Sequence, residues 1–155
     1  MVPTGMKRQE DLAPGDMVIY PYLWDWQAKE GKQVGEKRRP CVVILRTETP
    51  EGTPLVALLP ITTQPIKDYK TRVMVPVEER RRLGMSMYRP QSVALTDCNV
   101  ERLGESSALP TFVPDRKFGE RFTLDLTRRF REVFEANKAE LVMRRHNSAE
   151  VTPSL

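Results

Sequence analysis

The 155-residue chain carries 25 Lys and Arg against 21 Asp and Glu, a formal charge of +4, with 39% apolar residues, two cysteines and one histidine. That length and apolar content suffice for one compact core but not two, and a single histidine excludes paired-histidine acid–base chemistry and any His-rich metal site. Two distant cysteines, Cys41 and Cys98, form neither a CxxC knuckle nor a disulfide framework, and no window nears the roughly 18 apolar residues of a membrane span.

Met1 to Asp11 is polar and lacks the apolar stretch of a signal peptide, so the chain is expected to be soluble and cytoplasmic. Pro14-Gly15-Asp16 is turn chemistry that feeds a first strand, Met17-Val18-Ile19-Tyr20. Gln27 to Lys37 has two glycines and three lysines and almost nothing apolar, which predicts a long, exposed, mobile loop. Cys41-Val42-Val43-Ile44-Leu45 is a continuous, β-branched run, as expected of a central strand covered on both faces. A Pro- and Gly-rich turn over 49–54 leads to a second buried strand, Leu55 to Thr62, whose Pro60 suggests a bend or an edge near its end.

Arg72 to Pro76 reads as a strand, Val77 to Leu83 as a short helix closed by Gly84, and Ser92 to Thr96 as a further strand. Glu105 to Gly119 serves as a connector. Leu126, Phe130, Val133, Phe134 and Leu141 recur at helical steps, which predicts one amphipathic helix over 124–143. The fold class is therefore α+β and mainly β: a small antiparallel barrel or curled sheet with helical cover. One domain over 1–145 is expected, with a flexible tail at 146–155 that takes in the lone His146.

Lys29, Lys32, Lys37, Arg38 and Arg39 crowd one loop and Arg80, Arg81 and Arg82 another, a pattern that suits an anionic partner as well as a solvated face. Trp24 and Trp26 stand two apart before the first basic loop, where a base would stack; the same rings would equally cover the rim of a small core. Arg39-Pro40 fixes a planar donor fork at the mouth of a buried strand, as phosphate recognition requires, although a strand-edge charge looks the same in sequence. Thr62, Thr63 and Gln64 cluster hydroxyls and an amide where the next strand leaves the core. Antiparallel pairing of the two strands brings Arg39 at the start of one near Thr62 at the end of the other.

Three runs in order, Pro14-Gly15-Asp16-Met17-Val18, Arg39-Pro40-Cys41-Val42-Val43-Ile44 and Leu59-Pro60-Ile61-Thr62-Thr63, resemble the PemK and MazF family of toxins. Tyr22-Leu23-Trp24 and Val75-Pro76 leading to Leu83-Gly84 are similar to the longer PemK-like branch, and the resemblance covers roughly residues 14 to 103. It implies an SH3-like barrel with appended helices, usually a homodimer, that cuts single-stranded mRNA without metal or other cofactor and is held inactive by a cognate antitoxin. It also implies Arg39 and Thr62 as catalytic residues; the aromatic pair, the basic loop and the hydroxyl cluster beside them offer Trp24, Trp26, Lys37, Arg38, Thr63 and Gln64 as candidate RNA contacts. Where many short members carry Asp-Gln, a hydrophobic residue and Arg, this chain has Asp97-Cys98-Asn99-Val100. The same resemblance admits two other outcomes: a non-catalytic module that binds RNA or a gyrase-type target, and a member with no retained activity.

Overall fold

The computed structural model describes residues 1–22, 29–31, 38–104, 108–136 and 140–143. Its strands are β1 (Met6–Arg8), β2 (Met17–Pro21), β3 (Arg38–Glu48), β4 (Pro54–Thr62), β5 (Arg72–Met74), β6 (Ser92–Ala94), β7 (Asp97–Arg102), β8 (Phe112–Pro114) and β9 (Glu140–Met143). The helices are α1 (Val77–Arg82) and α2 (Glu120–Glu135), with one 3-10 turn at Gln9–Asp11. The main sheet runs β2-β3-β4-β6-β5, with β7 paired to β4 and to β9, while β1 and β8 form a separate antiparallel ribbon. All pairs are antiparallel except β7 with β9. The fold is α+β and mainly β.

The two apolar runs become the long central strands because both of their faces are covered. Val42, Ile44, Ala57, Leu59 and Ile61 look into one cluster, which is closed by Phe118 and by Phe122, Leu126, Phe130 and Val133 of α2. Cys41, Val43, Val56 and Leu58 look into a second, closed by Leu12, Leu103, Leu109 and Val113. Each buried aliphatic side chain stabilises the fold by about 1.5–3 kcal/mol. Gln9 pins the second lid: its amide donates to the carbonyls of Leu109 and Pro110 at 3.2 Å each, and its own oxygen accepts from the Gly104 N–H at 3.1 Å.

Pro60 marks a change of partner rather than a sheet edge. On one side β4 follows β3 from Glu48↔Pro54 to Cys41↔Pro60. On the other it pairs with β7 from Leu55 to Leu58, then with β6 at Ile61 and Thr62. Proline has no N–H to give to a ladder, so the handover falls where a donor is missing.

Gly15 and Asp16 tie the N-terminal turn to three other segments. The Gly15 N–H donates to Val43 O and the Val43 N–H to Asp16 O, both at 2.8 Å, while the Phe118 N–H donates to Gly15 O at 2.9 Å. The fully buried Asp16 carboxylate accepts from the Ala13 N–H at 2.8 Å and from Lys7 Nζ at 2.5 Å. Gly15 has φ +97°, and a Cβ there would stand 2.7 Å from Thr123 Oγ1.

The C-terminal helix departs from the expected 124–143 at both ends. It begins at Glu120, where Glu79 of α1 caps it by accepting the Gly119 N–H at 2.6 Å, a contact made by tertiary structure and invisible to local periodicity. It ends at Glu135, and Leu141 lies instead on β9, whose register runs Asp97↔Glu140 to Val100↔Met143. The recurrence of Leu141 in the apolar stripe is coincidental: pairing with the edge of β7 outweighs local helix pattern. Leu126, Phe130 and Val133 are buried as the stripe requires. The ribbon strands β1 and β8 fall in segments that the sequence reads as polar leader and connector. No helix among the described residues is long and apolar enough to cross a membrane.

Gly15→Ala is expected to destabilise the chain by about 1–3 kcal/mol through backbone strain, before the Thr123 contact adds to it, as a lower urea midpoint will show. Burial pushes the Cys98 thiol up to about 12, with Asp97 adding to the rise and a hydrogen bond to the Leu58 backbone opposing it. A raised folded-state value favours the protonated thiol in the folded chain. Its contribution is therefore complete at neutral pH and is lost as pH climbs from about 9 towards 12. Urea midpoints measured across that window should fall more steeply for the wild type than for Cys98→Ala.

Candidate nucleic-acid interface

One end of the sheet gathers cationic and hydroxyl side chains on a single face. Arg39 pairs with Tyr20 of β2, and Arg38 with Pro21. Because Cys41 faces Pro60, a step of two residues outward along both strands sets Arg39 level with Thr62. Side chains alternate along a strand, so Arg39 shares the face of Cys41 and Val43, and Thr62 that of Val56 and Leu58. Both therefore extend the second cluster outward. Arg39 is half-buried, Arg38 exposed, and Thr62 only 4% exposed.

Local bonds set the orientation of these groups. Thr62 Oγ1 accepts the Gln64 N–H at 3.0 Å, which fixes its oxygen and turns the chain away after β4. The Cys41 thiol donates to Arg39 O at 3.5 Å. Thr62 pairs with Ser92 of β6, whose hydroxyl accepts from Arg72 Nη1 at 3.2 Å. The predicted contacts Thr63 and Gln64 follow β4 and are exposed. Trp24, Trp26 and Lys37, like most of the 27–37 loop and His146, lie outside the described residues.

Beneath this end lies a polar layer. Tyr20, the cross-strand partner of Arg39, donates its phenol proton to the fully buried carboxyl group of Glu101. Asn99 and Glu101 alternate on the face of β7 that meets Leu58 and Val56, and both are fully buried. Asp97, two residues before Asn99, shares their face and is half-buried. Burial, more than any neighbouring charge, raises the Tyr22 phenol well above its ordinary value, and Asp97, Cys98, Cys41 and Tyr20 add to the rise. The bond to Glu101 holds the Tyr20 ring in place beside Arg39.

Sequence reasoning missed Tyr20, Glu101, Arg72 and Ser92. Glu101 and Asn99 carried a signal, a strand-period alternation from Asp97 to Arg102, but with polar residues on the buried side the pattern points the wrong way out. Arg72 and Ser92 carried no local signal, because strand pairing alone brings them to Thr62.

No curated protein matches the chain at a significant level. The family model of PemK-like, MazF-like toxins of type II toxin-antitoxin systems matches residues 21–104, from the end of β2 past β7, and so contains Arg39, Thr62, Ser92 and the polar layer on β7. With its three motif strands assembled side by side and more than half its length within that match, the chain belongs to the PemK-like, MazF-like family of type II toxin-antitoxin toxins.

Proposed function

We propose that the chain is the toxin of a type II pair and a metal-independent endoribonuclease that cuts single-stranded mRNA. The observation that carries this reading is the placement of Arg39 and Thr62 at one level on adjacent strands and on one face, within the region matched by the family. The ribose 2′-hydroxyl gives up its proton and attacks the adjacent phosphorus, the bond from phosphorus to the 5′ oxygen breaks, and the leaving oxygen takes a proton, so that none is gained or lost overall. The products are a 2′,3′-cyclic phosphate and a 5′-hydroxyl. Arg39 stabilises the charge that builds on the phosphorane oxygens, where a fixed guanidinium gains more in the transition state than in the ground state. Thr62, whose oxygen is already held by the Gln64 N–H, has its own proton to give to a phosphate oxygen.

Arg38, Thr63 and Gln64, with Trp24, Trp26 and Lys37, contact the RNA strand on either side. The curled sheet, with β4 shared among three partners, supports an SH3-like barrel as the core of one domain over 1–145. The type II family implies an antitoxin partner, and the working unit is a cytoplasmic homodimer. A second reading, a non-catalytic module that binds RNA or a gyrase-type target, draws on the departure at Asp97-Cys98-Asn99-Val100. There Asn99 is fully buried in β7 and presents nothing to a base.

Incubation with mixed-sequence RNA in EDTA is expected to yield fragments with 5′-hydroxyl ends. Arg39→Ala should slow cleavage by at least about 10²-fold, and Thr62→Val, which keeps the branched shape, should impair it as well. Intact RNA after treatment with folded wild-type protein would sink the catalytic reading. Growth inhibition that persists in Arg39→Ala would favour the binding module instead.

A further inference from the structure

Arg72 stands on the far side of Thr62 from Arg39. The strand order β3-β4-β6-β5 places Arg39, Thr62, Ser92 and Arg72 in sequence across the sheet. Met74 pairs with Ser92, and Arg72 lies two residues before Met74, so all four share one face. From there the Arg72 side chain reaches back to Ser92. Nη1 donates to Ser92 Oγ at 3.2 Å and approaches Gln64 O at 3.5 Å, the same Gln64 whose N–H holds Thr62. The backbone of Arg72 is anchored too, since Arg129 Nη2 of α2 donates to Tyr69 O at 2.9 Å and to Arg72 O at 3.3 Å.

The rest of the guanidinium is open. Nη2 and Nε of Arg72 have no hydrogen-bond partner among the described residues, and no carboxylate there lies within ion-pair distance of it. Asp68, the acid of the preceding turn, accepts instead from the Lys70 N–H at 2.9 Å. Lys67 and Lys70, in the segment that leads into β5, are exposed and positively charged. A half-buried arginine with its orientation fixed, and with its fork unfilled and no counter-ion among the described residues, is built for a planar, bidentate anion. The strands that carry Arg39 and Ser92 are two spacings apart, about 10 Å, more than one phosphate group bridges.

We propose that Arg72, seated on Ser92, binds the RNA phosphate next to the scissile one, so that the strand crosses the sheet with one phosphate at Arg39 and Thr62 and its neighbour at Arg72. This rests on the ribonuclease reading. Arg72 is a binding residue: it fixes register along the strand and takes no part in bond breaking.

The test uses the full chain and a short RNA that contains a cut site mapped in the cleavage assay. Arg72→Gln keeps a donor for Ser92 and removes the charge. It should raise KM about tenfold with kcat unchanged. Binding of the 2′-O-methyl form of the same RNA should lose about 0.7 from the slope of log affinity against log salt, as one lost phosphate contact on a single strand requires. A neutral methylphosphonate at the phosphate beside the cut should cost the wild type the same tenfold and cost Arg72→Gln nothing more. Arg72→Lys should keep the salt slope and recover part of the KM. If wild type cuts but Arg72→Gln matches it in KM and slope, or the methylphosphonate and the substitution add independently, the inference falls alone. If wild type neither cuts nor binds RNA, the ribonuclease reading falls with it.

Discussion

Everything in this molecule is placed by β4, because three strands pair with it. β3 runs along one side for nearly its whole length, β7 takes the first half of the other side, and β6 takes the end. A strand that changes partner at Pro60 must draw two ladders together, and that handover sets Ser92 and, through β5, Arg72 beside the residue that follows the core. The gathering of these side chains at one end of the sheet is therefore a product of one missing N–H. A β4 paired with a single neighbour on that side would leave Thr62 beside Arg39 with nothing on its other flank.

Burial on both faces makes this arrangement stiff. α2 closes one face and the Gln9-pinned segment of 108–114 closes the other, so the central strands have no soft side. The α2 lid is itself tied to its surroundings. Glu79 of α1 holds the start of α2 at the Gly119 N–H, and Gly15 joins β3 to the segment that leads into α2. Arg82 completes this link by pairing with Glu79 and donating to Lys117 O at 2.9 Å. The ends of the central strands can carry arginines and hydroxyls because their middles supply the stability.

The polar layer under Arg39 fits the same logic. A buried tyrosine bonded to a buried carboxyl group contributes modest net stability, but neither tolerates loss of its partner, since an orphaned buried polar group costs about 1–3 kcal/mol. That asymmetry fixes the Tyr20 ring in one position. The backbone partner of Arg39 is thus a rigid side chain in a satisfied network, which limits how far the arginine end of β3 can shift.

By itself the sequence determined the parts whose signals are local. The β-branched runs gave the two central strands, Gly84 gave the end of α1, and the Arg-Pro and Thr-Thr pairs stood at strand ends where pairing would join them. It also read the stripe Leu126, Phe130 and Val133 correctly as a helical face. Only tertiary structure decided the rest. The helix limits follow from a cap lent by Glu79 and from the pull of β7 on Leu141, and neither contact is near in sequence. β7 itself hid behind buried polar residues, because alternation shows a strand's period but not which face is wet. Arg72 and Ser92 join the site for the same reason that they were silent: a position across a sheet is set by which strands pair, and pairing is a property of the whole chain rather than of any window within it.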